Sequence, residues 1–176
     1  MAQVLEFPFA GIASETQFNA LPKREKTAIA AAYFADVLHV KEEGGNNKGF
    51  WVARFLHAVG LNPGFAWCAA FVSFVLALAG VVGGPKYGRA AVRNWEKWAR
   101  ENNRLFPMKR AVRGDLVGYA DPKTGLGHIA ICIGPGLEPL ILLTIEGNTN
   151  KKGSREGDGV YRKERRIFEN WWCIKL

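Results

Sequence analysis

A cysteine nucleophile needs three partners: a means of losing its proton, a base, and a group that holds the base in place. The chain has three cysteines, Cys68, Cys132 and Cys173. Cys68 follows Pro63-Gly64 and a short loop and opens an apolar helical run at Ala69. The positive end of a helix and a neighbouring imidazole both favour a thiolate. A residue there can also offer its own backbone N–H to a developing oxyanion. The small neighbours Ala66, Ala69 and Ala70 leave room for a substrate backbone. Burial in a core is the competing fate of a free cysteine. Cys132, between Ile131 and Ile133, and Cys173, after Trp171-Trp172, read as packing residues.

Among the histidines, His39 and His57 fall in amphipathic helical stretches and read as surface residues. His128 follows Gly125-Leu126-Gly127 and begins the apolar run Ile129-Ala130-Ile131. An imidazole at a strand start beside glycine, where backbones can approach closely, suits a catalytic base. The next apolar run closes on Glu146-Gly147-Asn148. An antiparallel return would bring either Glu146 or Asn148 beside His128 to orient the ring.

These residues require helices first and strands second. Three- and four-residue spacing of Ala28, Ala31, Ala32, Phe34, Ala35 and Leu38 predicts a helix from Lys23 to about Lys41, after an extended lead over 1–22. Gly44-Gly45-Asn46-Asn47 is a turn signal. Val52, Phe55, Leu56 and Val59 mark a second helix, the run from Trp67 a third, and Ala91 to Asn102 a fourth. Beyond Pro107, Asp115 to Tyr119, His128 to Ile133, Leu140 to Glu146, Val160 to Arg162 and Trp171 to Lys175 read as strands. The expected class is α+β, with the apolar helix after Trp67 covering an antiparallel sheet. That helical stretch, Phe65 to Val82, carries no charge, but alanines dilute it and Gly83-Gly84-Pro85 ends it. It reads as a buried central helix rather than a membrane span.

At 176 residues with 48% hydrophobic and 23% charged, the chain suits a compact globular fold. Three cysteines do not form a disulfide framework, and no Cys/His cluster has zinc-ligand spacing. Met1 to Ala10 lacks the pattern of a secretory signal. The net charge of +8 favours polyanionic partners. Its two clusters are Lys109, Arg110 and Arg113, and the longer set Lys151, Lys152, Arg155, Arg162, Lys163, Arg165 and Arg166, read as a solvated basic face or a polyanion-attracting one.

Taken in order, several stretches resemble the CHAP domain, a branch of the papain-like and NlpC/P60-like cysteine peptidases. They are Gly44-Gly45-Asn46-Asn47, Gly64-Phe65-Ala66-Trp67-Cys68-Ala69-Ala70-Phe71-Val72, Arg93-Asn94-Trp95, Arg113-Gly114-Asp115-Leu116-Val117, Gly127-His128-Ile129-Ala130 and Ile145-Glu146-Gly147-Asn148-Thr149. The resemblance covers residues 41–176 as a catalytic domain, with residues 1–40 as a helical extension packed on it. It implies a papain-like arrangement and hydrolysis of peptidoglycan, at the sugar–peptide amide or within the wall peptide. It implies Cys68 as nucleophile, His128 as base and then acid, and Glu146 as orienter, with Asn148 assisting. Trp67 and Trp95 are candidates either to line the substrate groove or to pack in the core. No cofactor is implied, and Glu42 and Glu43 lack the acidic spacing of a calcium loop. The expected partner is bacterial peptidoglycan, without nucleic acid, acted on by a monomer made in the cytoplasm and released or delivered to the wall. A basic wall-binding module without catalysis, or a cysteine hydrolase of another amide, are the alternatives.

Overall fold

The computed structural model describes residues 14–154 and 156–176. Among these residues five α-helices precede the sheet: α1 (Glu15–Ala20), α2 (Lys23–Ala32), α3 (Phe50–His57), α4 (Cys68–Leu78) and α5 (Val92–Glu101). Six strands follow: β1 (Leu105–Pro107), β2 (Leu116–Ala120), β3 (Gly127–Pro135), β4 (Ile141–Thr149), β5 (Gly159–Arg166) and β6 (Trp172–Ile174). They form one antiparallel sheet in the order β1-β6-β2-β3-β4-β5. The chain is thus α+β, as its sequence pattern implies.

The period-two alternation of the strands divides the apolar residues between two clusters. Ile129, Ile131, Ile133 and Ile145 face the helices and pack with Phe71, Val72 and Val75 of α4. Ala130, Cys132, Val117 and Leu142 face the other way, with Trp171 and Cys173. The first cluster takes in Phe18 of α1, Ala28 and Ala31 of α2, and Phe34, so the N-terminal helices share the core of α4. Phe34 meets Trp51, Phe55, Phe71 and Phe74 edge to face. Among the described residues no helix is long and apolar enough to cross a membrane.

Two local expectations need correction. The extended lead over 1–22 gives way to α1 within its described part, residues 1–13 lying outside the described residues. Ser14 and Gln17 form a capping box: Ser14 Oγ accepts from the Gln17 amide at 3.2 Å, and Gln17 Oε1 accepts from the Ser14 amide at 3.0 Å. Buried Phe18 then anchors the short helix. The helix from Lys23 stops short of Lys41, because Tyr33–Val37 widens into a π turn and His39 adopts φ 46°. Val40 and Glu42 instead pair with the start of β5. Strand β1, unrecognised in the sequence, places Pro107 at the sheet edge, where a missing N–H is tolerated.

Candidate functional site

Cys68 is the first residue of α4. No side chain caps that helix start, so its first-turn amides point outward without a side-chain acceptor. The loop before it is held by backbone and side-chain ties. Gly64 donates its amide to the Asn47 carbonyl at 2.8 Å. Glu42 accepts from the Asn47 amide at 2.9 Å and from Trp67 Nε1 at 2.8 Å. Glu42 therefore ties the Gly44–Asn47 turn to the residue preceding the thiol. Cys68 itself is 5% exposed.

His128 lies in β3, opposite Tyr119 of β2. It is 1% exposed. Its Nε2 meets Glu146 Oε2 at 2.8 Å, and because a carboxylate only accepts, the ring proton of that contact sits on Nε2. Glu146 is wholly buried. It also accepts from Thr144 Oγ1 at 2.6 Å and from Arg165 through Nε at 2.7 Å and Nη2 at 2.6 Å. Arg165 stands opposite Leu142 in the β4–β5 register and reaches along the same face past Thr144 to Glu146. It is further held by the Gly153 carbonyl at 3.2 Å and by the face of Trp171 at 5.7 Å.

The second nitrogen, Nδ1, is buried and has no hydrogen-bond partner among the described residues. Cys68 is close enough to act on the ring electrostatically, yet no hydrogen bond of standard geometry joins the two. Nδ1 is the nitrogen left for the thiol, since Glu146 holds the other. Burial works against a charged imidazole, but Cys68 and Glu146 outweigh it and raise His128 to about 9. Burial likewise opposes a charged Glu146, but hydrogen bonds from Arg165 and His128 hold its carboxyl down at about 2.

These two shifts define a pH window for stability. Glu146 falls from an ordinary 4.5 to about 2, so its contribution is complete above 4.5 and is lost as pH drops toward 2. His128 rises from 6.5 to about 9, so its contribution is complete below 6.5 and is lost as pH climbs through 9. Denaturant midpoints are therefore expected to be highest between about pH 4.5 and about pH 6.5 and to fall on both sides. Glu146→Gln should remove much of the acid limb. A wild-type profile that stays flat across that range and beyond would contradict the assignment.

Asn148 is 1% exposed, adopts φ 57°, and keeps an unpartnered Nδ2. It follows Gly147, where a Cβ would lie 2.7 Å from Phe71 Cβ and 2.8 Å from the Trp67 ring, so this part of β4 presses on the first turns of α4. Trp67 and Trp95 are both fully buried, and neither borders the small cavity at His128; Trp95 borders a separate one with Val81, Gly84 and Trp98. Trp67 stacks on Phe55 at 5.7 Å, and Trp95 donates Nε1 to the Arg89 carbonyl at 2.8 Å. Their bulk serves the core, as large aromatics usually do. The exposed aromatic of the Cys68 loop is Phe65, at 56%.

Sequence reasoning missed Arg165, Thr144 and Glu42 as parts of this site. In the sequence Arg165 is one of the cations of the basic 151–166 cluster, and only the alternation of β5 turns it inward. His39 and His57 are exposed. Burial pushes the Cys132 thiol up and the Cys173 thiol to about 11, so neither is poised as a nucleophile. Among the described residues no group of three or more His, Cys, Asp or Glu could hold a metal ion. The arrangement supplies a thiol that acts on a buried imidazole, one ring nitrogen with no partner among the described residues, and a fixed carboxylate on the other. No protein-family model, curated protein or solved structure matches the chain.

Proposed function

We propose that the protein is a cysteine amidase or endopeptidase of the papain-like, CHAP type that hydrolyses an amide of bacterial wall peptide. The observation that carries this reading is the buried His128, hydrogen-bonded through one nitrogen to Glu146 and acted on through its surroundings by Cys68. A packing histidine has no need of a carboxylate that itself receives three further hydrogen bonds, from Thr144 and from Arg165 twice.

In this mechanism Cys68 Sγ, as thiolate, attacks the amide carbonyl carbon, and the oxygen takes up the electron pair. The α4 N-terminal amides favour that negative charge. The imidazolium of His128 gives its proton to the leaving amine as the C–N bond breaks. The neutral ring then takes a proton from water, which attacks the thioester and frees the acid and the thiolate. Glu146 fixes the ring and stabilises its charged form throughout.

A polyanion-binding module fits less well. In the C-terminal basic cluster, Arg162 pairs with Asp36, Arg165 pairs with Glu146, and Lys163 donates to the Asn150 and Lys151 carbonyls. Those charges are engaged within the protein.

The test is digestion of purified peptidoglycan followed by mass analysis of the released fragments. The expected products carry one hydrolysed amide, with glycan linkages intact. Fragments cut only between sugars, or no release at all, would defeat the proposal.

A further inference from the structure

Beside the His128 pocket lies a second, larger depression of about 680 Å³. Its lining includes Arg93, Glu96, Tyr119, Asp121, Lys123 and Asn170. The small cavity at His128, about 50 Å³, is lined by Tyr119, Gly153, Arg165 and Trp171 as well. Tyr119 borders both, its ring lies 5.0 Å from that of Trp171, and Asn170 and Trp171 are consecutive. The two cavities are therefore neighbours across one aromatic wall.

The charges in the larger depression are unequally engaged. Asp121 accepts from the Lys123 amide at 2.8 Å and the Thr124 amide at 2.9 Å, closing its own turn. Glu96 is paired with Arg100 at 2.8 Å. Among the described residues, neither the Arg93 nor the Lys123 side chain has a hydrogen-bond or ion-pair partner. Gly125, at φ 68°, lets the guanidinium of Arg93 lie against the β2–β3 turn: a Cβ there would sit 2.8 Å from Nη1. Asp121 Oδ1 and Glu96 Oε1 are thus engaged, while the Arg93 and Lys123 side chains line the cavity without a partner among the described residues.

The geometry points to a carboxylate-binding subsite in this depression, with Arg93 as its principal ligand and Lys123 as a second cation. The inference rests on the amide-hydrolase reading and names the substrate feature it selects: a free carboxylate on the peptide near the cleaved bond. A guanidinium binds a carboxylate through paired N–H donors in one plane. The two carboxylates that remain in the wall disfavour a multiply charged phosphate and suit a single negative charge.

The test uses the Cys68→Ala protein, so that the peptide is bound and not cut. Two probes are titrated calorimetrically: a wall-derived stem tetrapeptide with free carboxylates, and the same peptide with every carboxyl converted to the carboxamide. The free form is expected to bind about tenfold tighter. Arg93→Gln should abolish that preference and leave affinity for the carboxamide form unchanged. Arg93→Lys should retain part of it, and Lys123→Gln should reduce it. Both side chains are exposed and unpartnered, so unaltered thermal melting of each variant is expected as a fold check. A preference that survives Arg93→Gln, or the absence of any preference, overturns the subsite. Wall hydrolysis by the wild-type protein is measured separately. A preference that depends on Arg93 in a protein that cuts no wall would keep the subsite and remove the enzyme.

Discussion

Cys68→Ala is expected to lower amide hydrolysis by on the order of 10⁵-fold or more, with the fold preserved. Loss on that scale follows when the nucleophile of a nucleophile–base pair is removed, because no other atom can form the covalent intermediate. Nothing nearby can substitute: Ala69 and Ala70 follow it, and Cys132 and Cys173 are wholly buried in the second apolar cluster. The stability change should stay within about 1–2 kcal/mol, since alanine suits a helix start among alanines and only one buried atom is lost. Hydrolysis of soluble wall fragments and thermal melting of the same sample give both numbers. A variant that melts normally and retains its rate would remove Cys68 from the chemistry.

Glu146→Gln is expected to cost about 10³- to 10⁴-fold in rate and, unlike Cys68→Ala, also about 3 kcal/mol in stability. Every neighbour of this carboxylate is a donor: His128 Nε2, Thr144 Oγ1, and Arg165 through Nε and Nη2. An amide replaces one acceptor oxygen with a donor nitrogen that faces donors. It also leaves the guanidinium of Arg165, whose side chain is 17% exposed, without its counter-charge. Arg165→Ala removes two of the four bonds and keeps the His128 contact, so a smaller loss of rate is expected from it. Combining the two substitutions should cost less than the sum of their separate effects, because they act on one ion pair. Additive costs would show that Arg165 and Glu146 act independently.

The parts of this site that were legible in the sequence are those set by local signals. A thiol after a Pro-Gly loop and before an alanine-rich apolar run marks Cys68, and glycine before an Ile-Ala-Ile run marks His128. Glu146 stood out as a charge closing an apolar strand, and antiparallel return does bring it to the ring. The helices and strands carried by clear periodicity were legible for the same reason. What was hidden depends on contacts between distant segments. Arg165 looks like one of many cations until β5 is extended through Arg166, which turns Tyr161, Lys163 and Arg165 inward and Arg162, Glu164 and Arg166 outward. Glu42 has no role until the Gly44–Asn47 turn lies against Trp67, 25 positions away. Trp67 and Trp95 stay open between groove and core in the sequence, because an apolar aromatic there looks the same in either place. The core took both, and left Phe65 at the surface.

Acyl transfer as proposed requires a Cys68 thiol made reactive by His128. Its most direct test is the rate of iodoacetamide alkylation of each cysteine at neutral pH, in the wild-type protein and in His128→Ala. Cys68 is expected to react at least about tenfold faster than Cys132 and Cys173, and to lose most of that advantage when the imidazole is removed. Equal rates at the three sites, or a Cys68 rate indifferent to His128, would contradict it.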